Sequence, residues 1–257
     1  MRHNILLAFS FAKRELKERY VGTGIGQLWY LLSPLVMIFI YSVIFSDFMK
    51  MKLNIIDNSY AYSIYLIPGL LAWTSFSAIV MRLNASIFEK ANLIKKVSVP
   101  IYVFQLSIVI SELFIFFISM LLGIAFLLII NQPITLDFLW ILLVMILQTI
   151  FAFGVGVIFS LFTPFLKDLK EIVPIVMQLW FWMTPIIYLS SMIEDRYPIL
   201  LTYNPFYYFV KIYQNIFLYA KLPSFEDMFI AFVLSITLIT VAGYLYKKMV
   251  ATIKDVI

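Results

Sequence analysis

Stretches of about 20 mostly apolar residues recur along this 257-residue chain. Each is long enough to cross a bilayer core of about 30 Å, because a helix rises ~1.5 Å per residue. Of the residues, 63% are hydrophobic and only 13% are charged, and a soluble domain of this size needs more polar surface than that. The pattern predicts an all-α polytopic membrane protein. Six transmembrane helices are expected, at about 28–48, 61–80, 101–130, 138–164, 172–190 and 227–246. The third is over-long for a perpendicular crossing and is expected to tilt or protrude. No internal repeat marks two inverted halves, which argues against a secondary-transporter architecture.

The basic residues are distributed unevenly. With the N-terminus inside, the pieces 1–27, 81–100, 165–171 and 247–257 carry fourteen Lys and Arg, against five for 49–60, 131–137 and 191–226. This asymmetry predicts a multi-pass protein with both termini cytoplasmic. The net charge of +5 therefore reflects orientation, and no nucleic-acid partner is expected. With no cysteine and a single histidine, His3, the chain offers no thiolate chemistry, catalytic triad or metal site. Nor does the start read as a cleaved signal, since apolar 5–12 precedes basic 13–19 rather than following it.

Residues 4–20 predict an amphipathic helix suited to the cytoplasmic interface, with Ile5, Phe9, Ala12, Leu16 and Tyr20 on one side. Lys13, Arg14, Lys17 and Arg19 would lie near lipid phosphates. Arg14/Glu18 and Glu15/Arg19 are i,i+4 pairs. After the "GTGIG" of 22–26 come Gln27, Leu28 and Trp29, so the lysine and hydroxyl that must follow the last glycine of a phosphate-binding loop are missing. Its glycines are expected to turn the chain from a surface helix into a spanning one. Residues 1–27 thus form an interface helix and Gly-rich turn, and 28–257 a single six-span domain.

"RELKERYVGTGIGQLWYLLSPL" (14–35) resembles the start of the permease subunits of ABC-2 type polysaccharide exporters. Arg19, Tyr20, Gly26, Trp29 and Pro34 match that pattern, while Ile25 stands where leucine is common. "YLIPGLLAWTSFS" (65–77), "NASIFEKANLIKKVSVPIYV" (84–103), "FLKDLKEIVPIVMQLWFWMTPIIYL" (165–189) and "YNPFYYFVKIYQNIFL" (203–218) continue the likeness in order. Two departures are Lys167-Asp168 where Arg-Asp is frequent, and Gln214 near a family arginine. The resemblance implies a homodimeric permease in the bacterial inner membrane that carries lipid-linked O antigen, capsule or teichoic acid. It also implies two copies of a separate ATPase subunit, which bind the ATP and Mg; no cofactor is expected in this chain.

The loop 81–100 is, by that resemblance, a coupling segment. Ile87, Phe88, Leu93 and Ile94 offer an apolar plug, and Glu89, Lys90, Lys95 and Lys96 offer flanking charge. The alternative is a positive-inside anchor that touches only lipid. Lys167 and Asp168 are a second candidate contact. Segment 191–226 is apolar, aromatic and interrupted by prolines, which suggests short helices dipping back into the membrane. The resemblance implies an outer gate there, with Pro198, Tyr203, Asn204, Pro205, Phe206, Tyr207, Tyr208 and Tyr213 as candidates. An interfacial aromatic belt would explain the same residues.

Glu112 is the only carboxylate deep in a predicted span, about 17 Å along a helix from Ile101, and Gln105, Glu112 and Ser119 share its face. It either contacts substrate or a proton, or makes a hydrogen bond or dimer contact inside the protein. Tyr30, Phe39, Tyr41, Phe45, Trp180, Phe181 and Trp182 are candidates to line a glycan path, because flat rings contact the C–H faces of sugars; packing and lipid contact compete for each. Ala152, Gly156 and Ser160 form a small-residue stripe for helix packing, and Ser224 with Asp227 a capping box. Two alternatives to a glycan permease are an ABC-2 exporter of a drug or small lipid, and an ion-coupled transporter using Glu112. A membrane-embedded glycan enzyme is disfavoured, as the loops hold no separated carboxylate pair.

Overall fold

A computed structural model describes residues 2–44, 60–97 and 99–256. Among these residues every regular element is helical, so the all-α expectation holds. The chain opens with α1 (Arg2–Glu18), followed by a 3-10 turn and α2 (Trp29–Ser42). Then come α3 (Ala61–Glu89), the short α4 (Ala91–Lys96) and α5 (Ile101–Ile129). A second 3-10 turn leads into α6 (Trp140–Phe162), and α7 (Leu169–Met183) follows. The last third holds α8 (Ser191–Glu194), α9 (Pro198–Thr202), α10 (Pro205–Tyr219) and α11 (Phe225–Val256).

Among the described residues four helices are long and apolar enough to cross a membrane: Ala61–Glu89, Ile101–Ile129, Leu136–Phe162 and Phe225–Ile253. The other two expected spans are shorter as helices. The apolar helix Gly26–Ser42 covers the described part of the first. In the fifth, α7 stops at Met183, because Thr184 precedes Pro185 and takes extended backbone (φ −101°, ψ 129°). At 15 residues α7 is ~22 Å long, short of a full hydrocarbon core.

The loop expected at 81–100 is mostly helix. α3 continues to Glu89, since Leu83, Ser86 and Ile87 remain buried and keep the helix packed beyond the apolar span. α3 is the central element, buried along most of its length against α5, α6, α7 and α10. The small-residue stripe of α6 explains one of these contacts: a Cβ on Gly156 would lie 2.6 Å from the Leu83 side chain. On the neighbouring face of α6, a Cβ on Gly154 would meet the backbone of Leu238 in α11 at 2.9 Å.

Gly22 and Gly26 both adopt positive φ, 86° and 59°, so the glycine turn between α1 and α2 uses the left-handed region. Ser224 and Asp227 make the expected box: the Ser224 Oγ accepts from the Asp227 N–H at 3.1 Å and donates to Asp227 Oδ2 at 2.6 Å. Pro205 is the first residue of α10, where a missing N–H costs nothing, and Asn204 caps it by accepting from the Phe206 N–H.

Candidate functional site

The chain brings its charged residues together where α1 meets the bundle. Three contacts advance in the same direction along α1 and α5: Asn4 Nδ2 to Tyr102 Oη at 2.6 Å, the stacked rings of Phe11 and Phe104, and Arg19 to Glu112. α1 therefore runs beside α5 for ~15 Å instead of touching it at one crossing point.

At the end of this contact Glu112, only 3% exposed, receives two guanidinium groups on the same oxygen. Arg19 Nη1 donates to Oε1 at 2.7 Å, and Arg82 Nη1, from α3, donates to it at 2.5 Å. Arg82 Nη1 also reaches Ser111 Oγ at 3.3 Å, while its Nη2 bonds Glu15 of α1. Lys90 Nζ lies 3.6 Å from the same Glu15 oxygen. Three cations and two carboxylates thus tie α1, α3 and α5 to the segment before α4. Burial alone would lower the pKa of Arg19, but the Glu112 carboxylate outweighs it and holds the guanidinium above its ordinary value.

This arrangement alters two expectations. Arg14 pairs with Glu18 on the exposed side of α1, as the spacing indicates, but Glu15 and Arg19 part company and each takes a partner outside α1. Glu112 is an ion-paired carboxylate between two arginines. Arg82 and Glu15 are the members that sequence reasoning missed. The available signal was a lone arginine just past the second predicted span, on the same chain side as Arg19. Lys13 and Lys17 remain exposed on α1.

Two cavities flank the network and share Arg19. The first, about 180 Å³, lies between α2, α3 and α5, with Glu112 and Arg19 in its wall. The second, about 480 Å³, is bounded by Arg14, Glu15, Glu18, Arg82 and Lys90 and by the rings of Phe11 and Phe104.

In the expected coupling segment, burial separates the residues into two groups. Ile87 and Ile94 are 1% and 7% exposed and pack with Ile101, Phe104, Val157 and Leu161, so the apolar plug narrows to Phe88 and Leu93. Glu89, Lys95 and Lys96 are exposed, whereas Lys90 turns inward to Glu15. Lys170 Nζ sits 4.9 Å above the Phe88 ring, which brings the 165–171 loop beside the end of α3, with Lys167 and Asp168 exposed on it.

The path candidates divide likewise. Phe39 and Trp182 are 65% and 58% exposed, on α2 and α7 respectively. Tyr30 is buried and donates from its hydroxyl to the Leu16 carbonyl at 2.6 Å, while the Tyr41 carbonyl accepts from Ser63. Trp180 donates from Nε1 to Asn204 Oδ1 at 2.8 Å and packs edge-on against Trp73 and Phe76. Phe181 leans on Trp73. Phe45 lies outside the described residues.

Among the gate candidates, Asn204, Phe206 and Tyr213 are core residues. Asn204 Nδ2 donates to Thr184 Oγ1 and the Met183 carbonyl, Phe206 stacks on Phe76 at 4.3 Å, and Tyr213 is fully buried beside Phe116. The reason is that α10 packs one face against α3, so the residues on that side of each turn point inward. Pro198 and Tyr203 are exposed, and Tyr207 and Tyr208 are half-buried, with the Tyr208 hydroxyl on the Thr202 carbonyl. Lys211 of α10 pairs at 2.9 Å with buried Asp227, the capping-box partner of Ser224 at the start of α11.

Residues 7–218 match the family model described as ABC-2 type transporter. An O-antigen export system permease protein RfbA from Klebsiella pneumoniae is 30% identical over 254 residues, which cover 97% of this chain and 95% of that protein. An RfbA permease from Myxococcus xanthus is 28% identical over 244 residues, 94% of this chain and 92% of its own length. The chain is a member of the ABC-2 type transporter family.

Proposed function

We propose that the chain is the membrane-embedded permease subunit of an ATP-driven exporter that moves a lipid-linked polysaccharide out of the cytoplasm. The observation that carries this reading is likeness over nearly the full length to permeases named for O-antigen export. In it the chain spans the inner membrane six times with both termini in the cytoplasm. ATP and Mg are held by a separate ATPase subunit, present in two copies beside a permease homodimer. The exposed apolar faces of α2 and α7, with Phe39 and Trp182, are available for a second copy and for the glycan path. Phe88 and Leu93, ringed by Glu89, Lys95, Lys96, Lys167 and Asp168, present the surface that docks the ATPase. Helices α8 to α10 form the outer segment, in which α10 dips back among the spans and Pro198 and Tyr203 lie at the mouth.

The ion-coupled alternative loses its main support, since Glu112 is already engaged by two guanidinium groups, those of Arg19 and Arg82. The permease reading is tested by reconstituting the permease with its ATPase in vesicles, using lipid-linked glycan extracted from the host. ATP-dependent movement of glycan across the vesicle membrane is expected. Transport that proceeds without the ATPase, or no glycan movement by an ATP-hydrolysing complex, overturns it.

A further inference from the structure

The cavity of about 180 Å³ beside Glu112 carries hydroxyl and charged side chains among its apolar lining, in a place where helix packing favours apolar groups alone. Three helices supply its walls, each with a stripe spaced i, i+3, i+4, i+7; on α5 the stripe is Glu112, Ile115, Phe116 and Ser119. That spacing is one continuous helix face. α3 contributes the adjacent hydroxyls of Thr74 and Ser75. The Ser75 hydroxyl decides the character of the site. Ser75 is only 8% exposed, and its Oγ has no hydrogen-bond partner. An unsatisfied buried hydroxyl is costly, and a ligand in the cavity relieves that penalty.

The remaining polar groups are poised in the same sense. Thr74 and Ser119 donate to carbonyls of their own helices, which leaves their oxygens as acceptors. Both arginines bond Glu112 through Oε1, and neither reaches Oε2. Pro34 of α2 has no N–H, so the Tyr30 carbonyl lacks its helical donor at the cavity wall. The mouth carries the exposed residues Arg19, Trp29 and Ser33, and the ring of Tyr20 stands beside them.

We propose that this cavity binds one neutral sugar ring of the transported glycan. Its free hydrogen-bonding groups are neutral hydroxyls and a backbone carbonyl, and its one lining cation, Arg19, is already paired with Glu112. A sugar suits it, because each sugar hydroxyl both donates and accepts, and the Trp29 and Tyr20 rings can cover its C–H face. The size sets the number of rings. About 180 Å³ far exceeds the ~10–15 Å³ that admits one water, yet falls below the ~300–1,000 Å³ of pockets for drug-sized ligands.

The inference rests on the glycan-permease reading, and its test separates the two. A benzophenone amino acid at Met37, in the cavity wall, is activated by light in the reconstituted permease–ATPase complex, with host lipid-linked glycan as the probe. ATP-driven transport is measured on the same vesicles. The expected result is a glycan-bearing adduct, suppressed at least tenfold by free oligosaccharide released from the same glycan. Bare polyprenyl diphosphate should not compete. Ser75→Leu, which fills the cavity, should abolish the adduct; if that variant does not assemble with the ATPase, Ser33→Leu at the mouth replaces it. Transport without an adduct overturns this inference alone, as does competition by bare polyprenyl diphosphate, which would make the cavity a phosphate site. An adduct undiminished when the cavity is filled also overturns it. A complex that hydrolyses ATP but moves no glycan overturns the permease reading, and this inference with it.

Discussion

Arg82 of α3 and Glu112 of α5 are joined at 2.5 Å through the carboxylate oxygen that also receives Arg19. Because Arg82 also bonds Glu15, one guanidinium fork links the N-terminal helix to two central helices. A lysine has a single ammonium and cannot span both carboxylates. Arg82→Lys is therefore expected to lower the unfolding temperature of the purified permease. Arg82→Ala should cost on the order of 1.5–3 kcal/mol, since it removes the hydrogen bonds of the fork and leaves Glu112 with Arg19 alone and Glu15 with Lys90 alone. Detergent-solubilised protein followed by thermal unfolding reads both, and an unchanged transition for Arg82→Ala would contradict the network.

The position of α1 depends on the same charges. The chain has no cysteine, so cysteines placed at Phe11 and Phe104, whose rings stack with centroids 5.3 Å apart, are the only thiols. A short thiol-reactive linker is expected to join them in the otherwise native protein. Adding Glu15→Gln, which removes the carboxylate shared by Arg82 and Lys90, should reduce the crosslinked fraction. Equal crosslinking in both would mean that the Glu15 contacts do not help to hold α1 in place.

Close helix packing gives a paired test on α6 and α11. Gly154→Ala forces a methyl to within 2.9 Å of the Leu238 backbone, and separating the helices should cost ~1–3 kcal/mol. Gly243→Ala in α11 meets nothing within 4 Å and should leave stability unchanged or raise it slightly. Thermal unfolding of the two variants checks the contrast.

Asp227 has two duties, as capping partner of Ser224 and as the ion partner of Lys211. Ser224→Ala should cost ~0.5–2 kcal/mol through the cap. Asp227→Ala should cost more than either Ser224→Ala or Lys211→Ala, and the Asp227/Lys211 double variant should be less damaging than the two single changes summed. Simple additivity would show that α10 and α11 are not coupled through this pair.

Much of the architecture was legible because bilayer thickness imposes a length on apolar helices, and the glycines at 22 and 26 announced a turn that requires positive φ. The ends of elements were less legible. α3 runs on to Glu89 because Leu83 and Ile87 find tertiary partners, information that a hydropathy window does not contain. The same limit applies to Ile94, which reads as an exposed plug in a short basic loop and is a core residue in space. Phe206 and Tyr213 read as mouth residues because prolines break their segment, yet α10 buries them. For Glu112 the face it shares with Ser119 was visible, but its partners were not, since Arg19 and Arg82 are 93 and 30 residues away.

As a glycan exporter rather than a synthase, the chain should be needed only after the polymer is made. Its gene should be deleted in its own host, and lipid-linked glycan measured separately in the cytoplasm and at the cell surface. Loss of surface polymer with accumulation of finished polymer inside, reversed by the intact gene, is the predicted result. Unchanged surface glycan would contradict the account, and disappearance of the polymer from both places would assign the chain to synthesis instead.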